Sequence, residues 1–155
     1  LHKSLLSAGE FITGCFLGGK MIGILIVSHG KFAEGLIDAA KLIAGEQERI
    51  ESIGLFEGDN LDDLTTKIKQ AISRLDDGSG VIVFVDMFGA SPSNIVSRLI
   101  EQNIIAITGV NLPMVLEIMS FRNSLSLQEI ADIAVNSGKE SIMNLTQKVK
   151  EILGK

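Results

Sequence analysis

The chain has no tryptophan, no tyrosine, one cysteine, two prolines and two histidines. A single cysteine builds no internal disulfide framework, which rules out a disulfide-held mini-protein and permits a reducing compartment without proving one. Apolar and charged fractions of 46% and 21% rule out a disordered tail and a collagen-like fibre. No apolar run approaches the ~20 residues that span a bilayer. Lys and Arg number 14 against 19 Asp and Glu, for a net charge of −5. No basic stripe is present to neutralise phosphates, which argues against non-specific nucleic-acid binding. What is abundant is apolar surface, with a mean hydropathy of +0.35. In 155 residues, one domain's length, that excess belongs in a core covered on both faces.

The first twenty residues stand apart. Leu1–Lys20 carries Cys15 and His2, whereas a much cleaner pattern starts at Met21. The segment 1–20 reads as a vector-derived or upstream-translated extension. Two alternatives are a lipoprotein signal around Ile12-Thr13-Gly14-Cys15, against which Glu10 interrupts a short apolar stretch, and a native packing arm. The body, 21–155, then has no cysteine and one histidine, His29.

Along the body, strand and helix patterns alternate. Met21–Val27 is a near-continuous apolar run halted by Ser28-His29-Gly30, the signature of a strand buried on both faces. Phe32, Leu36, Ile37, Ala40 and Ile43 recur at helical spacing up to Gly45. Ile50–Phe56, interrupted by Glu51 and Ser52, predicts an edge strand. A second amphipathic helix follows Asp59 or Asn60 and runs to Leu75; Asp76–Gly80 is turn chemistry. Val81–Val85 is a pure apolar strand ending at Asp86. Ser91 with Pro92 predicts an N-cap and first helical residue, continued by Ile95, Val96 and Leu99. Ile104–Ile107 is a fourth strand, and a helix is expected from Pro113 to Phe121. Ser126–Glu129 fits a capping box opening a helix that ends near Gly138, and Ile142, Leu145, Val149 and Ile152 line a last helical face.

This alternation predicts an α/β fold, a flavodoxin-like doubly wound, mostly parallel sheet of order 2-1-3-4 with helices on both faces. Ligand chemistry in such a sheet sits beyond the carboxyl ends of the strands, between the first and third. His29 and Asp86 fall there. An Asp that accepts the Nδ1 hydrogen fixes the imidazole tautomer, leaving Nε2 as nucleophile. Beside it, Gly89 permits close backbone approach, and the N–H groups and hydroxyl near Ser91 offer an anion cradle. Such a set suits phosphoryl transfer, where positioning and charge stabilisation dominate. Each part has a plain structural counterpart: a loop histidine, a turn aspartate, a helix start. Their coincidence on one rim is what points to chemistry. Met114, Met119 and Met143 read as core filler and Asp59–Asp63 as a solvated helix start.

The body resembles enzyme IIA of the mannose-family sugar phosphotransferase system. The resemblance rests on Ile24–Leu36 (ILIVSHGKFAEGL), Ala44–Glu48 (AGEQE), Val83–Asn94 (VFVDMFGASPSN) and Gly109–Glu117 (GVNLPMVLE), and it covers essentially the whole body. It implies that His29 carries the phosphoryl group, that Asp86 orients it, and that Ser91, with Gly89 and Ala90, binds the phosphoryl group. Phe88 stands where some members have Trp, and Ala90 replaces a second Gly. The implied partners are the phosphocarrier HPr as donor and a IIB component, expected as a separate chain, as acceptor. Phe88, Met87, Phe32 and Lys31 are the expected docking residues. The resemblance also implies a cytoplasmic protein, commonly dimeric, with no cofactor or metal, no nucleic-acid partner and no direct membrane insertion. The sequence has no Gly-x4-Gly-Lys-Ser/Thr loop and no carboxylate pair suited to magnesium. The apolar face of Ile142, Leu145, Val149 and Ile152 is expected to serve a subunit contact or to cover its own sheet.

Other readings remain. The phosphotransfer subunit of dihydroxyacetone kinase shares fold and chemistry, and a non-catalytic regulatory module of the same system is a further alternative. A Ser91–His29–Asp86 hydrolase triad lacks the Gly-x-Ser-x-Gly elbow. A histidine phosphatase would need Arg where Ser28 stands and a second histidine. A response-regulator receiver would need acidic residues at the end of the first strand.

Overall fold

A computed structural model describes residues 20–154. The readings placed on Cys15, His2 and the Ile12–Cys15 stretch lie outside these residues. Four strands and six helices follow one another as β1 (Gly23–His29), α1 (Phe32–Ala44), β2 (Ile50–Leu55), α2 (Leu61–Leu75), β3 (Val81–Val85), α3 (Ser91–Ser97), β4 (Ile104–Thr108), α4 (Leu112–Phe121), α5 (Leu127–Glu140) and α6 (Leu145–Leu153). The strands form one parallel sheet in the order β2-β1-β3-β4, as expected for the flavodoxin-like arrangement.

The period-two alternation of β1 and β3 divides the core. Ile24, Ile26, Ile82 and Phe84 face α1, α4 and α5. Leu25, Val27, Val81, Val83 and Val85 face α2 and α3. All nine are essentially sealed from water, which is why both strands read as unbroken apolar runs. The edge strand β2 is only half-buried and carries Glu51, whose carboxylate takes a two-pronged ion pair from Arg74 of α2.

Three expectations are corrected. β1 starts at Gly23 and continues past Val27 to His29, because β2 extends the ladder through Ser28↔Gly54 and His29↔Leu55. The helix at 127 does not stop near Gly138: α5 runs to Glu140, and a Cβ at Gly138 would lie 2.6 Å from Met114 Cγ, so this glycine lets α5 lie close on α4. The face of Ile142, Leu145, Val149 and Ile152 does not cover the sheet. Nothing in α6 is buried, because α1, α4 and α5 already occupy one side and α2 and α3 the other.

At the amino ends of the strands, buried Arg122 gathers the chain. Its guanidinium donates to the carbonyls of Ile22, Arg49 and Glu48 and to the Gln47 side chain. Burial, then the Arg49 charge beside it, pushes Arg122 down to about 10, with Glu48 opposing. The Ala44–Glu48 stretch therefore does structural work at the end of the sheet opposite His29.

Candidate functional site

The site is made by two strand ends. β1 and β3 stay paired as far as Val27↔Val85. Beyond that rung the Asp86 side chain takes over the ladder: its Oδ2 accepts the His29 N–H at 2.8 Å. The same oxygen lies 2.7 Å from His29 Nδ1. Asp86 Oδ1 accepts the Met87 N–H at 2.9 Å. Partial burial would raise the Asp86 carboxyl, but hydrogen bonds from the His29 backbone and ring and from Met87, with attraction to the imidazole, hold it below the usual carboxylate range. A carboxylate only accepts, so Nδ1 carries the hydrogen, and in the neutral ring the lone pair is on Nε2. The His29 side chain is 47% exposed and that of Asp86 17%. The carboxylate is thus partly shielded while the imidazole stays accessible.

Local chemistry turns the chain sharply after His29. Gly30 sits at φ +53°, a conformation glycine adopts without strain, and its N–H donates to Leu55 O at 2.8 Å. Lys31 is the exposed N-cap of α1 and caps it with no side-chain bond. On the other strand, Val85 O accepts from both Gly109 and Val110 N–H, which pins the end of β3 where Asp86 begins. This gives the Gly-Val-Asn stretch a place in supporting the site.

Met87, Phe88, Gly89 and Ala90 follow Asp86 on the β3–α3 loop, and Ser91 opens α3. Gly89 adopts φ +85° with open space around its Cα. The expected N-cap at Ser91 is corrected: Ala90 is the N-cap, Ser91 the first helical residue and Pro92 the second, with no side-chain cap. The Ser93 hydroxyl donates to Ala90 O instead. Among the described residues, nothing accepts the N–H groups of Gly89, Ala90 or Ser91. Ser91 makes no hydrogen bond to His29 among them either, so the hydrolase triad is not assembled. Phe88 is 84% exposed, and Phe32 and Met87 are exposed too.

Three contributors escaped the sequence reading. Ser28 is fully buried; its hydroxyl donates to the His29 carbonyl and accepts the Ala33 N–H. Gly54 faces the Gly30 carbonyl so closely that a Cβ would overlap it. Phe56, exposed at the end of β2, lays its ring against Gly54. A signal for Ser28 was present, a polar residue ending the apolar run directly before His29; Gly54 and Phe56 had none.

Two surface grooves lie nearby, one lined by Lys31, Glu34, Asp38, Lys41 and Ser52, the other by Thr108, Asn111, Met114 and Lys139. Neither includes His29 or Asp86. Among the described residues, no group of three or more His, Cys, Asp or Glu is placed to hold a metal ion, and no helix is long and apolar enough to cross a membrane.

A family model described as the PTS system fructose IIA component, of mannose-type EIIA, matches residues 23–135. The mannose-specific EIIAB component of Escherichia coli K12 is 35% identical over 133 residues, 84% of this chain and 41% of that protein, so the chain spans less than half of that relative. The fructose-specific EIIA component of Bacillus subtilis is 28% identical, covering 85% of this chain and 92% of that protein. The crystal structure of the IIA protein associated with the fucose utilization operon of Streptococcus pneumoniae superposes with a TM-score of 0.75 at 32% identity, covering 86% of this chain and 99% of that one.

Proposed function

The chain belongs to the mannose-type EIIA family of the sugar phosphotransferase system, and from that premise we propose that it relays a phosphoryl group on His29. The carrying observation is the 2.7 Å contact from His29 Nδ1 to Asp86 Oδ2, which leaves Nε2 free on an open rim. In the proposed reaction, Nε2 attacks the phosphorus of phospho-HPr. The new N–P bond forms as the donor's N–P bond breaks, and its electron pair returns to the donor imidazole. The His29 ring gains positive character as the bond forms, and the Asp86 carboxylate stabilises it while holding the Nδ1 hydrogen. Ser91 Oγ and the N–H groups of Gly89 and Ala90 receive the phosphoryl oxygens. A IIB component then takes the group by the same chemistry in reverse.

An exposed histidine on a rim suits a protein donor better than a small molecule. Phe88, Met87 and Phe32 supply apolar contact, Lys31 a charge at the edge, and Phe56 extends the patch on the β2 side. Sugar-specific names among the relatives favour a sugar phosphotransferase role over the dihydroxyacetone kinase alternative. A cytoplasmic location accords with this role. The uncovered apolar face of α6 favours a homodimer.

Incubation with phosphorylated HPr tests the reading. An acid-labile, base-stable phosphoryl group is expected on the wild type and absent from His29→Ala. Labelling that persists in His29→Ala overturns it. Phe88→Ala is expected to slow phosphorylation by HPr; an unchanged rate removes Phe88 from the docking surface.

A further inference from the structure

Ser28 is the one polar residue among the buried positions of β1, with no exposure to water. By alternation it shares the face of Ile24 and Ile26, beneath α1. A hydroxyl there is costly unless hydrogen-bonded. Both of its bonds go to the backbone around His29. Its oxygen accepts the Ala33 N–H at 2.8 Å, and its hydrogen goes to the His29 carbonyl at 3.2 Å.

Each bond fills a vacancy left by the fold. The N-cap residue of α1, Lys31, makes no side-chain cap, so Ser28 serves an opening N–H of that helix from the preceding strand. The His29 N–H points toward β3, where Asp86 accepts it, and the Gly30 N–H bonds to Leu55 on the β2 side. β3 stops pairing at Val85, and the Met87 N–H is taken by Asp86 Oδ1. Among the described residues, no loop or turn N–H donates to the His29 carbonyl. Asp86 holds the N–H of His29, Leu55 holds the N–H of Gly30, and the Ser28 hydroxyl holds the carbonyl between them.

We propose that Ser28 is a positioning residue for His29: its buried hydroxyl ties the His29 carbonyl to the first turn of α1 and so keeps the imidazole in line with Asp86. This rests on His29 being the phosphoryl acceptor. The hydroxyl touches no reacting atom; it acts through the peptide that carries the ring. Losing it frees that peptide to rotate, which loosens the Nδ1–Asp86 contact and with it the tautomer.

The test compares Ser28→Ala and Ser28→Thr with the wild-type chain, all in a His2→Gln background so that one imidazole is observed. Ring nitrogen-15 NMR reads the tautomer, and phosphorylation by phospho-HPr reads the rate. The wild type is expected to hold the Nδ1–H form, and Ser28→Ala to show mixed-tautomer signals with a rate about tenfold lower. Ser28→Thr, which keeps the hydroxyl, is expected to restore both. Wild-type signals and rate in Ser28→Ala overturn the proposal, as does a folded Ser28→Thr no better than Ser28→Ala. If Ser28→Ala does not fold, Ser28→Cys, similar in size but a weak hydrogen-bonding group, replaces it with the same two outcomes. A wild type that phospho-HPr does not label overturns the reading of His29, while the NMR comparison still judges Ser28.

Discussion

Asp86 Oδ2 serves the backbone and the ring of His29 at once, so one side chain sets both where the imidazole sits and which nitrogen is free. Asp86→Asn is expected to slow phosphoryl acceptance by about 10²-fold or more, read in single-turnover transfer from phospho-HPr, because a neutral amide does not stabilise the charged ring and has one accepting oxygen where the carboxylate uses two. The substitution also carries a pH signature. The folded-state carboxyl lies below its unfolded value, so its contribution to stability is present above about pH 4 and is lost as pH falls through the lower folded value. The gap in urea midpoint between wild type and Asp86→Asn is therefore expected to be widest near neutrality and to close in acid. Gly54→Ala drives a Cβ into the Gly30 carbonyl, a backbone atom that cannot swing aside. A loss of about 1–3 kcal/mol in denaturant unfolding is expected, with slowed transfer. His29 and Asp86 were legible because each closes an apolar run. Gly54 was not, because what demands a glycine there is a carbonyl 24 positions earlier, brought close only by the pairing of β1 with β2.

Among the elements, the capping box at Ser126 and Glu129 and the Asn60 cap of α2 formed as their local sequence directs. The start of α3 did not. Ser91 and Pro92 each lie one position deeper, because the Asp86–Ala90 loop keeps Ala90 extended at ψ 172° as the N-cap. Gly138 is the other instructive case. A glycine near the end of a helical pattern looks like a stop, yet here it is an interior residue packed on Met114. Since the obstructing atoms belong to a flexible side chain, Gly138→Ala is expected to cost only about 1 kcal/mol by thermal or urea unfolding. Met114→Ala in the same background is expected to show a coupling energy in a double-mutant cycle, since the two positions touch.

In the whole molecule, the sheet is saturated on both sides, and α6 with its apolar face is left over. At dilutions where the chain is monomeric, deleting residues 145–155 is expected to change unfolding stability by no more than about 0.5 kcal/mol, because no residue of α6 is buried within its own chain. If that face joins two copies, Ile152→Asp, at a position 72% exposed, shifts the molecular mass in light scattering from dimer to monomer. An unchanged mass removes α6 from the contact. Much of this architecture follows from the order of residues alone. Uninterrupted apolar runs require strands covered on both faces, alternation with amphipathic helices requires parallel crossovers, and polar residues closing the two purest runs mark the rim proposed for the chemistry. Those are periodicities and local stops, properties a chain carries before it folds. The rest depended on which distant atoms meet: Asp86 completing a ladder that β3 leaves unfinished, Ser28 bonding to the turn beyond it, Gly54 making room for Gly30, and α6 finding no uncovered surface. Such contacts come from the register between strands and from how the two faces fill, and neither is written in any one stretch of the chain.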